Sequence, residues 1–119
     1  MSYDIRLTDP KTGETVQFDT PHQYRGGTYL VGGTKDAWLN ITSNYGPFFR
    51  GTIDEEKGIR ALYGKTGQTC IPILQSAIER LGGIPSEDYW APTAGNAGVA
   101  LHDLLQLCKR APQAILKGD

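Results

Sequence analysis

The chain has 119 residues, 39% of them hydrophobic and 21% charged, which places it among folded globular proteins and fits one domain spanning 1–119. Its 12 basic and 13 acidic residues leave a formal net charge of -1, so it carries no basic field of the kind that concentrates nucleic acid, and sequence-specific nucleic-acid binding is not expected. The opening Met1-Ser2-Tyr3-Asp4-Ile5-Arg6 lacks the apolar core of a secretion signal, and no run approaches the roughly 20 apolar residues of a membrane span, so the expectation is a cytoplasmic protein without a membrane segment.

Tyr3, Ile5 and Leu7 alternate with Asp4, Arg6 and Thr8, the period of a half-buried strand. Asp9-Pro10-Lys11-Thr12-Gly13 reads as a turn, and residues 15–18 return with Val16 and Phe18 on one face, which predicts a hairpin. Two further strands are predicted at 28–31 and 37–42, the second with Leu39 and Ile41 opposite Trp38, Asn40 and Thr42. Gly32-Gly33-Thr34-Lys35-Asp36 between them has the length of a hairpin loop, which makes a four-stranded antiparallel meander.

The glycines of this region, Gly26-Gly27-Thr28 and Gly32-Gly33-Thr34, admit a second reading as a backbone cradle for phosphate, with Arg25 in front. A helix should then follow, because its N-terminus supplies the unpaired N–H groups, yet a strand is predicted there. Gly58-Ile59-Arg60-Ala61-Leu62-Tyr63-Gly64-Lys65-Thr66 ends like a P-loop, but five residues separate its glycines where the motif has four. A helix explains the stretch better: Thr52 and Glu55 form a capping box, Ile59, Leu62 and Tyr63 share one face, and Gly64 stops it.

Residues 69–81 carry a wide apolar face of Cys70, Ile71, Ile73, Leu74, Ala77, Ile78 and Leu81, closed by Gly82-Gly83. A last helix begins near Thr93 or Asn96 and runs to about Arg110, with Leu101, Leu104, Leu105 and Cys108 as its stripe and Pro112 beyond its end. The fold class is therefore α+β: an N-terminal antiparallel sheet of about four strands, mainly in 1–42, packed against about three helices, mainly in 52–111.

Neither cysteine, Cys70 or Cys108, has a second cysteine or a histidine at metal-ligand spacing, and His22 and His102 stand alone. No metal, cofactor or catalytic residue is assigned, since the acidic residues fall where capping explains them and no nucleophile motif is matched. If the two long helices are antiparallel, Cys70 approaches Cys108, and both are expected as buried, reduced thiols.

The combination of Arg25-Gly26-Gly27-Thr28-Tyr29, Val31-Gly32-Gly33-Thr34, Leu39-Asn40-Ile41-Thr42, Asn44-Tyr45, Gly58-Ile59-Arg60, Leu62-Tyr63-Gly64, Tyr89-Trp90, Pro92-Thr93, Gly95-Asn96-Ala97 and Gly118-Asp119 resembles a group of small proteins without an assigned activity, encoded in phages and prophages of gut bacteria. The resemblance implies a setting, because short accessory phage proteins often bind and disable host defence components.

Two binding readings follow. In the first, an exposed patch of aromatics and arginine docks on a host protein; residues 43–50 and 87–92 are read as loops concentrating such side chains, with Asn44, Tyr45, Arg50 and Trp90 as the candidates. In the second, a nucleotide-like ligand is held by Arg25 and Lys65 while Tyr24, Tyr45 or Trp90 stacks on its base. A homo-oligomer would supply pocket walls to either.

Overall fold

Alternation at the N-terminus becomes the central strand of a sheet. In the computed structural model, which describes residues 2–23 and 33–119, strand β1 (Ser2–Thr8) buries Tyr3, Ile5 and Leu7 and turns Ser2, Asp4 and Arg6 outward. It lies between two antiparallel neighbours, β4 (Trp38–Thr42) and β5 (Ile115–Gly118). The register sets Tyr3 against Ile41, Ile5 against Leu39 and Leu7 against Leu116. All six are buried on one face, so the sheet has a single apolar side that the helices must cover. On the outer face the Trp38 indole donates to Asp4 Oδ1 at 2.6 Å and the Asn40 amide donates to Ser2 Oγ at 2.9 Å.

The architecture is α+β, as expected, but the strands are not one meander. The first turn forms: Asp9 Oδ1 accepts from the amides of Lys11 (2.7 Å) and Thr12 (3.2 Å), and Val16 N–H reaches Leu7 O at 2.9 Å. There the hairpin ends, because the Leu7 amide is already bonded to the carbonyl of Ala37 (2.8 Å). The returning chain instead becomes β2 (Gln17–His22) and pairs with β3 (Thr34–Asp36) in a separate two-stranded sheet. Residues 34–36, expected in a loop, are thus strand, while the strand expected at 28–31 lies outside the described residues. Arg110 clamps β2 from the helical layer: its guanidinium lies 4.0 Å over the Phe18 ring and donates to Thr20 O at 3.0 Å.

The segment after β4 is helical rather than loop. Thr42 Oγ1 accepts from Asn44 N–H at 3.3 Å and starts a 3-10 turn, Ser43–Tyr45, which runs into helix α1 (Gly46–Thr52). Pro47 is tolerated in the first turn, where its missing N–H has no partner to lose. Tyr45 and Phe49, four apart, both reach the core, with ring centroids 6.4 Å from one another.

Thr52 therefore ends a helix instead of capping one, and its hydroxyl donates back to Phe48 O at 2.7 Å. The capping role falls to Asp54, whose Oδ1 accepts from the amides of Lys57 (2.8 Å) and Glu56 (2.9 Å); these bonds hold its carboxyl below the usual range. Gly58 at φ +58° then interrupts any α-helix, and a 3-10 turn, Gly58–Leu62, follows. Its period of three still buries Ile59 and Leu62 together.

Helices α2 (Gly67–Leu81) and α3 (Ala94–Arg110) follow their apolar stripes and pack chiefly on each other. They run antiparallel, since the Gly82 carbonyl just past the end of α2 lies on Gly98 near the start of α3, and Cys70 near the start of α2 shares the buried core with Cys108 near the end of α3. Both thiols are buried and free, and the neighbouring Cys70 thiol together with burial pushes the Cys108 thiol up. The entry to α2 is stitched to β5: Gly64 N–H donates to Leu116 O and Leu116 N–H to Lys65 O, both at 2.8 Å.

At Gly98 a Cβ would stand 1.7 Å from the carbonyl oxygen of Gly82. Gly98→Ala should lower the unfolding free energy by about 3 kcal/mol, as overpacking against backbone does. Gly51→Ala, where a Cβ meets nothing within 4 Å, should be neutral or stabilising by up to about 1 kcal/mol. Urea denaturation of the two variants checks the contrast.

His22 supplies a pH dependence. It is buried with Nε2 at 2.6 Å from the Asp36 carbonyl, and burial lowers its pKa from the ordinary 6.5. The unfolded chain therefore takes up this proton before the folded one, and stability falls as pH drops below 6.5 until the folded histidine itself titrates. The expected slope between pH 7 and 5 is at most about 1.4 kcal/mol per pH unit. Chemical denaturation of His22→Gln beside the parent should show a flatter profile in that window.

Candidate functional site

Eleven residues separate the C-cap of α2 at Gly82 from the first helical residue of α3 at Ala94, and this connection, 83–93, is neither strand nor helix. Its organiser is Asn96, a fully buried polar side chain in the first turn of α3. Asn96 Oδ1 accepts from Ser86 N–H at 2.9 Å. Its amide nitrogen faces three acceptors: Ser86 Oγ at 3.0 Å and the carbonyls of Asp88 and Ala91, each at 2.9 Å. One side chain thus replaces the ladder bonds that the loop backbone lacks. Thr93 caps the helix beneath it, accepting from Asn96 N–H at 3.2 Å.

The loop also lies directly on α3. A Cβ at Gly95 would be 1.8 Å from Ile84 O, as one at Gly98 would meet Gly82 O, so the absence of side chains at both positions lets backbone rest on helix. With its backbone held inward, the loop turns two large apolar side chains outward among its exposed polar ones. Ile84 is 87% exposed and Trp90 52% exposed, and among the described residues these are the large apolar side chains left in solvent.

The seven sequence-predicted binding residues divide into three groups. Tyr24 and Arg25 lie outside the described residues. Asn44, Tyr45 and Trp90 meet at the loop, but with unequal roles. Asn44 Nδ2 donates to Trp90 O at 3.0 Å, and the Tyr45 hydroxyl donates to Tyr89 O. Tyr45 is fully buried, its ring edge-on to Tyr89 at 6.2 Å, so it cannot offer a face to a partner or a base as expected. It anchors the loop from below, and Trp90 is the aromatic that reaches solvent.

Arg50 and Lys65 form the third group, on either side of the Ile53–Asp54 corner. Arg50 lines a polar hollow of about 300 Å³ together with Arg80, and Lys65 lines an adjoining one of about 320 Å³ with Lys57. Arg80 is committed, donating to Gly51 O at 3.0 Å. Among the described residues, no hydrogen bond or ion pair engages the side chains of Arg50, Lys57 or Lys65.

The P-loop reading of Gly64-Lys65-Thr66 also meets its geometry. A helix does follow, but its first amides are taken: Gly67 N–H by Ala114 O and Gln68 N–H by Pro112 O, both at 2.9 Å, and Thr69 N–H by Thr66 Oγ1 at 3.1 Å. No converging set of amides is left for phosphate. No cluster of three or more metal-ligating side chains occurs among the described residues, and no helix there is long and apolar enough to cross a membrane.

Sequence reasoning missed Asn96 and Ile84 as site residues. Asn96 looked like a possible helix start, and nothing in its identity shows that four groups of three loop residues converge on it. Ile84 had a signal: an isolated apolar residue between Gly82-Gly83 and Pro85 belongs to no periodic face, so no element carries it into the core. Compared with known proteins, the chain matches no family model, no curated protein and no solved structure.

Asn96→Ala should destabilise the fold by about 3 kcal/mol, the sum expected for several buried hydrogen bonds at about 1 kcal/mol each. The Ser86 and Trp90 amides should lose hydrogen-exchange protection ahead of those in the middle of α3. Unchanged protection at Ser86 would show that the loop is held by other means.

Proposed function

We propose that this is a phage- or prophage-encoded accessory protein that binds and inhibits a host defence component through the 83–93 loop, acting in the cytoplasm of the infected or lysogenic cell. The observation that carries the reading is the exposure of Ile84 and Trp90 on a loop whose backbone is fixed by Asn96, Asn44 and Tyr45. Large apolar side chains left in solvent have a cost that association relieves, and tryptophan is prominent among the residues that dominate interface energetics. A fixed loop also loses little conformational freedom on docking. The phage setting rests on the resemblance of the motifs, and the defence target on that setting.

The alternative, a nucleotide-like ligand held by Arg25 and Lys65, has one of its two cations outside the described residues and the other beside a hollow rather than at a set of free amides. Self-association through Ile84 and Trp90 is a third outcome that the same experiment separates.

The test is affinity purification of the tagged protein from infected cells, followed by native mass spectrometry. A host protein in fixed stoichiometry is expected, its affinity falling at least about 30-fold in Ile84→Ser/Trp90→Ala, as loss of an interface hot spot predicts. The variant should keep the parent's melting temperature, because neither side chain is buried. Recovery of a homodimer alone, or of a nucleotide released on denaturation, would sink the inhibitor reading.

A further inference from the structure

Cys70 and Cys108, the two cysteines of the chain, are nucleophilic groups that the 83–93 loop does not use, and both are fully buried. Backbone geometry brings them to one level. At Gly67, the first residue of α2, a Cβ would stand 3.1 Å from the carbonyl oxygen of Cys108 and 2.7 Å from that of Ala111. The missing side chain lets the start of α2 lie on the last turn of α3. Cys70 follows Gly67 by three residues and so shares its face. A helical carbonyl points toward the C-terminus of its own helix, so in this antiparallel pair the Cys108 side chain lies on the Cys70 side of that contact. Cys70 Sγ reaches back to Leu62 O at 3.9 Å, just ahead of α2. The two thiols are also unequal in acidity. The Cys108 thiol lowers the pKa of Cys70 against the effect of burial, with Lys65 adding to the lowering, while Cys108 itself is pushed up.

We propose that Cys70 and Cys108 form a reversible redox pair, oxidised to an intramolecular disulfide by a hydroperoxide. Cys70 attacks the peroxide: an S–O bond forms, the O–O bond breaks and, with hydrogen peroxide, one water leaves. Cys108 then displaces the hydroxyl of the Cys70 sulfenic acid. The S–S bond forms, the S–O bond breaks, and the Cys108 proton leaves with the hydroxyl as a second water. The two thiols together give up two electrons, which reduce one peroxide to two waters. Full burial makes the reaction slow and selects small, uncharged oxidants. The bond closes a ring that runs from Cys70 through the 83–93 loop to Cys108. The loop stands at one end of this helical hairpin and the disulfide at the other, so oxidation clamps the scaffold without touching Ile84 or Trp90. Such a ring restricts the unfolded chain and thereby stabilises the folded one. The pair shares no residue with the loop, so the inference stands independently of the inhibitor reading.

The test is treatment of the folded, reduced full chain with hydrogen peroxide, followed by intact-mass measurement and thiol counting after denaturation in an alkylating reagent. Expected are a monomer lighter by two hydrogen atoms, loss of both free thiols and their return with dithiothreitol. The melting temperature of the oxidised form should lie at least about 5 °C above that of the reduced one. In Cys108→Ala, which lacks the second thiol, Cys70 should be trapped as a dimedone adduct, whereas in Cys70→Ala, Cys108 should give none. Should either variant fail to fold, the mass and thiol count of the parent decide alone. Pairing only in the urea-unfolded chain, cross-linked dimers, addition of oxygen without loss of both thiols to a disulfide, or a lower melting temperature on oxidation would overturn the proposal.

Discussion

The contact on which the upper half of this molecule depends is backbone against backbone, where the carbonyls of Gly82 and Ile84 lie on the first two turns of α3 at Gly98 and Gly95. Ordinary helix packing keeps axes 8–10 Å apart because side chains interdigitate. Removing two Cβ atoms from one face lets a connecting loop lie where side chains would otherwise stand. Asn96, between the two glycines in sequence, then finds Ser86, Asp88 and Ala91 within hydrogen-bonding reach. Glycines and asparagine act together: the first allow the approach, and the second satisfies the polar groups that the approach buries.

Much of the chain could be read from its periodicity. β1 shows its alternation because one face of it is core and the other solvent, and α2 and α3 show theirs for the same reason. α1 was hidden by Gly46-Pro47, which reads as a break until the proline is seen to occupy the first turn, with Tyr45 and Phe49 carrying the packing. Strand β5 was hidden because Ile115-Leu116-Lys117-Gly118 is too short to display a period, and it becomes strand by filling the space between β1 and the segment 64–66. The pairing of β2 with β3 was hidden for a different reason. It depends on which partner reaches the Leu7 amide, a competition between distant segments that no local pattern records.

The candidate site was legible in residue type more than in role. Asn44-Tyr45 and Tyr89-Trp90 come together, which the two segments read separately do not show. What sequence could not assign was direction. A tyrosine has an apolar ring that favours burial and a hydroxyl that needs a partner, and Tyr45 meets both demands inside the fold by reaching a loop carbonyl. Trp90 has its own backbone held by Asp88 and Asn44 and leaves its ring outside. Similar residue types on adjacent segments thus divide into an anchor and a presented side chain.

That division bears on how a small protein can bind tightly. Association costs about 0.5–1.5 kcal/mol for each side chain it must immobilise, and more when a loop has to be ordered as well. Here the loop is held within the fold itself, since Asn96 from α3, Asn44 from the 3-10 turn and Tyr45 beside it each bond its backbone. The Tyr89 ring stands perpendicular to Trp90 at 6.0 Å, which further restricts the indole. The rotamer freedom that remains for docking to remove is that of Ile84 and part of Trp90. An extended, unanchored loop with the same two side chains would present the same apolar area but lose more freedom on docking, so in the proposed complex the polar network beneath the loop would favour binding without touching the partner.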